Sequence, residues 1–404
     1  MTRPSTIIFV IAILSSTILL APFHAEAIIG TEVTRIAASI AGGRGFSSPF
    51  SQPTGPSAWI PPVYPYLLAG IFYVFGAFTA ASYWVAVMLN IIVHALTCIV
   101  LYWAAGEAFG RRAGLYAAIA LASFPLLFYP LVLLHVLGGY GGQGLFIPPN
   151  MIWYTHLSEL TIVLLIWLTM RPFHWAVYGA AWGIAALINP TALSMAPAFL
   201  AWRLWHHRES WRHLGLSLAT AVLCVTPWLV RNFEVFHRPV FIRDNFGVEL
   251  RVGNQPGSGG QWIPSVHPDQ NAYELSRMAE MGEVEYAHVC GQEAVNSIRS
   301  RPGEFVRDTI RRIAYWWIGH PLTSQRLHAL RFLKYLPQLT FSLLTLYGTF
   351  RVLRRGNQEA QLFVAVLVFY PLIYYVTHTF TSYLYVYPIQ PEMLALATAG
   401  LRCE

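Results

Sequence analysis

The chain has 404 residues, of which 55% are hydrophobic and only 11% are charged, and its mean hydropathy is +0.48. Soluble domains carry about 25% charged residues, so this composition excludes an ordinary soluble protein and indicates a polytopic membrane protein. The net charge of +7 does not indicate nucleic-acid binding, because the arginines lie at the ends of apolar runs and in one long loop rather than along a basic face.

Ten apolar runs predict membrane-spanning helices, because a span needs about 20 mostly apolar residues. They are, approximately, residues 6–24, 80–108, 113–134, 151–170, 174–189, 191–205, 213–230, 331–350, 360–377 and 387–401. With the N-terminus inside, every short basic loop falls on the cytoplasmic side, as the positive-inside rule requires. The sequence therefore predicts an all-α integral membrane fold of about ten spans, whose extracytoplasmic loops carry short interfacial helices.

This topology divides the chain into three parts. Residues 1–230 hold the first seven spans and a first outer loop at 25–79. Residues 231–330 form a long extracytoplasmic region, and residues 331–404 hold the last three spans. The N-terminal run followed by Ala25-Glu26-Ala27 also matches a cleavable signal peptide, which would leave the later topology unchanged.

Four shorter segments have patterns of their own. Residues 60–78 are apolar but interrupted by prolines, which favours a helix start or an interfacial helix over another span. Residues 303–318 have one apolar helical face and predict a helix on the membrane surface. In the long outer region, PVFIRDNFGVELRVGN (239–254) predicts a short strand, and residues 270–300 predict a helix.

Acidic residues are scarce before position 209, where only Glu26, Glu32, Glu107 and Glu159 occur. Glu32 lies three residues before Arg35, at helical spacing, and the simplest interpretation is a weak surface ion pair. The same loop also holds the segments GRGF, TGPSAW and PPVYPYL, a set of turn formers and aromatic residues that packing alone does not explain. We therefore predict a structured site at the membrane boundary that contains Glu32.

An ordered series of motifs resembles the polytopic GT-C class of lipid-linked-sugar glycosyltransferases, near the protein mannosyltransferase and lipid A aminoarabinose transferase branch. The series is EVTRIA (32–37), GRGFSSPF (43–50), TGPSAW (54–59), PPVYPYL (61–67), PWLVRN (227–232), IRDNFGVELRVGN (242–254), RPGEFVRDTIRRIAYWW (301–317) and YPIQPEM (387–393). The resemblance implies an enzyme that transfers a sugar, with inversion, from a polyprenyl phosphate to an extracytoplasmic acceptor, which is a lipid, a glycan or a protein. The compact chain favours a bacterial inner membrane.

Candidate site residues follow from the resemblance and from the chemistry. Glu32 matches the proposed catalytic base of the class. A phosphate leaving group needs cations, and we expect Arg231 and Arg243 to supply them, although helix-end arginines also snorkel without binding anything. The other predicted substrate-binding residues are Arg35, Tyr64, Asn245, Glu249, Asn254, His378 and Tyr385.

The chain departs from the family pattern in two places. In SYLYVYPIQP (382–391), apolar and neutral residues replace an expected polar set, namely Leu384, Val386, Tyr387 and Gln390. Tyr154 occupies a position where an acid is expected, although Glu159, one turn further on, can substitute for it. As a lone intramembrane acid, Glu159 is more often paired with a neighbouring helix.

Other readings remain open at the level of sequence. The altered C-terminal turn is compatible with a non-catalytic relative that binds lipid-linked sugar. A secondary transporter is disfavoured, because no internal repeat is visible and nearly all the charge lies in loops. No histidine pair has zinc-ligand spacing on a suitable loop, so we assign no metal site and leave a divalent cofactor open.

Overall fold

The structure, a computed structural model, describes residues 3–20, 30–138, 149–208, 210–319, 335–378 and 383–401, and over residues 128–138 it describes the backbone alone. The signal-peptide motif at residues 25–27 lies outside this part of the chain. All regular elements within the described ranges are helical, and the single isolated β-bridge joins Ser47 to Pro56. The expectation of an all-α fold is confirmed.

The described residues form seventeen α-helices. They are α1 (Arg3–Leu20), α2 (Glu32–Ala41), α3 (Val63–Phe75), α4 (Ala80–Phe109), α5 (Arg111–Gly138), α6 (Thr155–Met170), α7 (Trp175–Ile188), α8 (Ala196–His206), α9 (Trp211–Phe236), α10 (Phe246–Gly253), α11 (Ala272–Met281), α12 (Glu283–Ser300), α13 (Pro302–Ile318), α14 (Leu336–Arg354), α15 (Ala360–Phe369), α16 (Leu372–Val376) and α17 (Gln390–Gly400). Short 3₁₀ turns precede α8 and α17.

Three of the described helices, α1, α4 and α9, are long and apolar enough to cross a membrane by themselves. Four shorter apolar segments accompany them: α3, α6, α7 and residues 360–376. Helix α9 keeps large apolar side chains at its surface, including Leu218 and Leu223, which is the arrangement expected of a helix that faces lipid. The polytopic membrane architecture is confirmed, and the number of ten spans stays a prediction.

Close packing in the bundle depends on small residues. Gly179 and Gly183 on α7, four residues apart, face Ser217 and Cys224 on α9. A Cβ atom on Gly179 would lie 2.1 Å from the carbonyl oxygen of Ser217, so only glycine permits this approach. The arrangement is the small-xxx-small pattern by which helices associate in membranes, where lipid removes the hydrophobic driving force.

The region after α9 corrects one expectation. Residues 239–254 contain the helix α10 and no strand. Val248 and Val252, one helical turn apart, are both fully buried, so tertiary packing overrides the strand propensity of these β-branched residues. The predicted helix at 270–300 is present as two helices, because Gly282 adopts a φ of +82° between α11 and α12.

Helices are present in both segments that were predicted to be interfacial, and their position at the membrane surface stays a prediction. The segment 60–78 contains α3, which begins directly after Pro62, and 303–318 corresponds to α13. Helix α13 exposes Val306 and Ile310 and buries Arg312. It therefore has an apolar outer face and a polar inner anchor.

Arg312 joins α13 to the segments that carry the site. Its fully buried guanidinium donates hydrogen bonds to the carbonyl oxygens of Gly253, Gly260 and Tyr375 and to the side chain of Asn254. A buried cation is tolerated when its donors are satisfied in this way. Burial lowers the pKa of Arg312 to about 10, so the residue remains charged at neutral pH.

Helix α10 is held from two further sides. Arg251 makes a two-pronged salt bridge to Glu274 of α11, with both N–O distances at 2.9 Å. At its end, Gly253 approaches Thr377 so closely that a Cβ atom would lie 1.9 Å from the carbonyl oxygen of Thr377. Arg35 of α2 pairs with Asp269, and the backbone N–H of Ala58 donates to Glu283 of α12. Helix α2, the loop 42–62 and α10 to α13 therefore lie together, in a region that we call the polar end.

Candidate active site

Glu32 is the first residue of α2, at the polar end. Thr31 caps this helix through a reciprocal hydrogen-bonded box with Thr34, and the helix N-terminus favours a negative charge. Trp59 Nε1 donates a hydrogen bond of 3.1 Å to Glu32 Oε1. His267 Nε2 lies 3.9 Å from the same oxygen. The loop and the distant polar region thus converge on one carboxylate.

His267 is enclosed by aromatic rings and is buried. Its ring packs against Phe50, Trp59 and Trp262 at centroid distances of 6.0, 5.8 and 5.3 Å. The backbone N–H of Asp269 donates to His267 Nδ1, so the neutral ring carries its proton on Nε2, which faces Glu32. Burial lowers the pKa of His267 to about 4, and the residue is therefore neutral at pH 7.

The environment of Glu32 makes its carboxyl group a stronger base than usual. Burial raises the pKa of Glu32 to about 8, and the charges of Glu249 and Asp269 add to this effect. The hydrogen bond from Trp59 and the charge of Arg243 act in the opposite direction. A carboxyl group that titrates near neutral pH can accept and release protons under working conditions, as general base catalysis requires.

A second polar group lies within electrostatic reach of Glu32. Arg243 Nε donates a 2.7 Å hydrogen bond to Asn245 Oδ1, and its Nη1 donates to the hydroxyl of Tyr154 at 3.4 Å. Asn245 in turn donates to Glu249 Oε1 at 2.8 Å. Burial raises the pKa of Glu249 to about 7, with Arg243 opposing the shift. Arg243, Asn245 and Glu249 are therefore linked by hydrogen bonds and form one fixed polar wall of the site.

His378 closes this wall from the C-terminal part of the chain. Its Nδ1 lies 3.6 Å from Glu249 Oε2, and its Nε2 lies 3.1 Å from the hydroxyl of Tyr385. Burial, followed by the charge of Arg312, lowers the pKa of His378 to about 3, so its ring is neutral. Tyr385 also stacks on Tyr374 at a centroid distance of 4.5 Å.

The structure therefore brings together six of the ten residues named from the sequence, namely Glu32, Arg243, Asn245, Glu249, His378 and Tyr385. The side chains of Glu32, Arg243 and Glu249 each keep about a fifth of their surface exposed, at 17%, 22% and 21%. All three side chains therefore keep some accessible surface. Their catalytic and binding roles stay predictions.

The other four residues occupy different positions. Arg35 pairs with Asp269 at 2.9 Å, beside Glu32. Tyr64 donates to Asn90 inside the bundle, and Asn254 bonds to the carbonyls of residues 376 and 377, so both hold segments in place. Arg231 donates to the carbonyl oxygens of Phe46 and Ser57, which fastens the first loop to α9.

Sequence reasoning did not single out Trp59 or His267 as functional. Trp59 belongs to the TGPSAW segment that predicted a structured loop, but no local pattern shows that its indole reaches Glu32. His267 lies in a polar stretch far along the chain, with no motif around it. The contact of Tyr154 with Arg243 places that tyrosine in the site, at the position where an acid had been expected.

A separate polar cluster lies inside the bundle. His94 on α4 and His156 and Glu159 on α6 are all fully buried. One ligand atom from each of the three lies within 4.8 Å of the others, as in sites that can hold a metal ion. The expectation that Glu159 meets a neighbouring helix agrees with this contact, in which His94 Nδ1 is 3.8 Å from Glu159 Oε2.

Comparison with known proteins gives a family match and a fold match. Residues 60–230 match the family model described as dolichyl-phosphate-mannose-protein mannosyltransferase. The archaeal oligosaccharyltransferase AglB from Archaeoglobus fulgidus, solved with an inhibitory peptide and a dolichol-phosphate, aligns with a TM-score of 0.50 and 15% identity, over 98% of this chain and 50% of that chain. The chain has the GT-C fold. The resemblance to the GT-C class is thereby confirmed at the level of the fold.

This GT-C chain spans about half the length of the archaeal oligosaccharyltransferase. The ArnT structure from Cupriavidus metallidurans bound to undecaprenyl phosphate also aligns, with a TM-score of 0.38 and 15% identity over 99% of this chain and 78% of that chain. Comparison with curated protein sequences gives no significant match.

Proposed function

We propose that this GT-C protein is an inverting membrane glycosyltransferase that moves a sugar from a polyprenyl-phosphate donor to an acceptor hydroxyl group. The observation that supports this most directly is the placement of Glu32, a carboxyl group with a pKa of about 8, in the same accessible site as the guanidinium of Arg243. A base and a phosphate-binding cation are the two groups that this reaction needs. The family match over residues 60–230 supports the same class of reaction.

In the proposed reaction, the acceptor oxygen forms a bond to the anomeric carbon of the donor sugar. The bond from that carbon to the phosphate oxygen breaks, and polyprenyl phosphate leaves with the electron pair. The proton of the acceptor hydroxyl passes to Glu32. Attack from the face opposite the leaving group inverts the anomeric configuration.

Arg243 is the group that we assign to the leaving phosphate. A guanidinium fork meets phosphate oxygens through two parallel hydrogen bonds, and Arg243 is already oriented by Asn245 and Tyr154. Such pre-orientation stabilises charge as it develops, without reorganisation of the site during the reaction. Arg231 is committed to backbone carbonyls, so we assign it the support of the first loop.

Neutral polar groups define the rest of the site. His267 directs an N–H toward Glu32 without adding a charge, which keeps the carboxyl group oriented. Glu249, His378 and Tyr385 offer hydrogen-bonding groups of the type that bind sugar hydroxyls. We place this site on the extracytoplasmic side of a bacterial inner membrane, in line with the positive-inside topology.

The test is sugar transfer by membranes that contain equal amounts of wild type, Glu32→Gln or Glu285→Gln, assayed with a panel of radiolabelled polyprenyl-phosphate sugars. Glu285 is a carboxylate of the polar end whose side chain is 40% exposed and paired with Arg238, and it serves as the matched control. We expect one donor to be used by wild type and by Glu285→Gln, with a loss of about 100-fold or more in Glu32→Gln. Full activity in Glu32→Gln would reject Glu32 as the base.

A further inference from the structure

We infer that His94, His156 and Glu159 form a zinc-binding site inside the helix bundle, separate from the proposed active site. His94 lies on α4, and the other two residues lie on α6, one helical turn apart. All three side chains are fully buried. Two imidazoles and one carboxylate are a common ligand set for Zn²⁺ in proteins.

The distances in the cluster fit a tetrahedral ion. Bonds of about 2.0 to 2.2 Å from zinc to nitrogen and oxygen place neighbouring ligand atoms about 3.3 to 3.6 Å apart. His94 Nδ1 is 3.8 Å from Glu159 Oε2, and the three ligand atoms all lie within 4.8 Å of one another. Small rotations of these side chains are therefore sufficient to close the shell around an ion.

Tyr387 offers an oxygen atom at the same spacing. Its hydroxyl lies 3.5 Å from His94 Nδ1 and 3.2 Å from His156 Nδ1. It comes from the turn that precedes α17, so the cluster joins three separate parts of the chain. Cys98 approaches the other nitrogen of His94, with Sγ to Nε2 at 3.8 Å. The imidazole of His94 is thus contacted on both of its nitrogen atoms.

Charge balance supports a divalent ion. Glu392, in the first turn of α17, is fully buried and lies close enough to Glu159 for their charges to interact. Neither carboxylate oxygen of Glu392 has a hydrogen-bond partner in another residue of the described part of the chain. A buried carboxyl group needs either a proton or a nearby cation, and a Zn²⁺ bound to Glu159 would be such a cation.

The position indicates a structural role. The ion would connect α4, α6 and the segment before α17, and His156 lies two residues after Tyr154, which contacts Arg243 of the proposed site. Structural zinc sites contribute their binding energy to folding, and so the ion would hold these three segments together. This inference does not depend on the proposed glycosyltransferase activity.

The test is the metal content of the full-length protein, purified in detergent with an affinity tag that contains no histidine. We expect elemental mass spectrometry to find about one zinc ion per protein molecule in wild type and in His288→Ala. His288 is an exposed histidine of α12 and provides the matched control. In His156→Ala and Glu159→Gln we expect about tenfold less zinc or lower.

Two further measurements on wild type test the inference even if a variant fails to fold. Wild type grown with Co²⁺ in place of zinc should show the visible absorption of a tetrahedral cobalt site. Wild type that contains no metal as purified, and that takes up none when titrated with Zn²⁺, would overturn the inference. Folded His156→Ala and Glu159→Gln proteins with an unchanged zinc content would also overturn it.

Discussion

Trp59 Nε1 donates a 3.1 Å hydrogen bond to Glu32 Oε1, and this contact joins the first loop to the start of α2. The bond stabilises the ionised form of a carboxyl group whose pKa is otherwise raised by burial. The balance between these two effects sets the fraction of Glu32 that is ionised. Several properties of the protein that can be measured depend on this balance.

The rate of sugar transfer should increase with pH through about 8. Glu32 must be ionised to accept the proton of the acceptor, and its pKa of about 8 leaves most of it protonated at pH 7. A profile of kcat/KM from pH 5.5 to 9.5 measures this directly, and Glu285→Gln should reproduce the wild-type curve. A rate that is flat or falling between pH 7 and 9 would contradict the assignment.

Replacing Trp59 with phenylalanine should lower activity at pH 7 by about tenfold. A hydrogen bond to a charged group contributes about 1.5 to 3 kcal/mol, and its loss raises the pKa of Glu32 further. The rising limb of the pH profile should therefore move to higher pH. Trp205→Phe is the control, because Trp205 is 82% exposed on α8 and remote from the site. An unshifted profile in Trp59→Phe would refute this role for the indole.

Glu32→Gln should be more stable than wild type at alkaline pH, even though we expect it to be inactive. Between pH 4.5 and 8 the folded wild type keeps a proton on Glu32 that the unfolded chain has lost, so its free energy of unfolding falls as pH rises. Glutamine has no such dependence. The midpoint temperature of thermal unfolding in detergent should therefore be higher in the variant than in wild type, by a difference that increases from pH 5 to pH 9. If the midpoint temperatures of variant and wild type differ by the same amount at pH 5 and at pH 9, the result would disagree with the raised pKa of Glu32.

Gly253→Ala should disturb the site from outside it. The added methyl group would lie 1.9 Å from the carbonyl oxygen of Thr377 and 2.5 Å from the Cβ of His378, so α10 or residues 377–378 must move. Such overpacking costs about 1 to 3 kcal/mol. We expect lower thermal stability and reduced transfer. Gly303→Ala is the control, since a Cβ there meets no atom within 4 Å, and it should behave as wild type.

Arg243→Lys should weaken use of the donor more than use of the acceptor. Lysine keeps the charge but cannot bond to phosphate, Asn245 and Tyr154 at once. We expect kcat/KM for the donor to fall about tenfold or more. Arg238→Lys, an exposed arginine paired with Glu285, should leave it unchanged. Equal effects of the two substitutions would argue against a specific phosphate contact at Arg243.

The sequence predicted the helical membrane class and the helices at 60–78 and 303–318, and it misread one element. The role of Glu32 as the base stays a prediction. Residues 239–254 carry the β-branched composition of a strand, yet Val248 and Val252 are buried on one face of α10. Tertiary packing outweighs the local strand propensity, because Gly247 permits close contact with Ala287 and Gly291 on α12. No feature of the 239–254 segment by itself reveals that partner helix.

For the candidate site, the sequence named individual residues but not the contacts between them. It named Glu32, Arg243 and Glu249, but it did not show that His267 faces Glu32 or that His378 meets Glu249. It also assigned Arg231 to phosphate, whereas the guanidinium is bonded to two loop carbonyls. Whether an arginine binds phosphate or anchors a loop depends on which groups its side chain meets in the folded protein.

The sequence by itself determined that this chain is a helical membrane protein, because the length and composition of an apolar run alone decide whether it can lie in lipid. Tertiary structure decided which polar groups meet: Trp59 with Glu32 at the polar end, and His94 with Glu159 inside the bundle. These pairs are distant along the chain, and their energies arise only when burial removes water from both partners. Hydropathy is a property of segments, whereas raised pKa values and ligand sets are properties of neighbours in space.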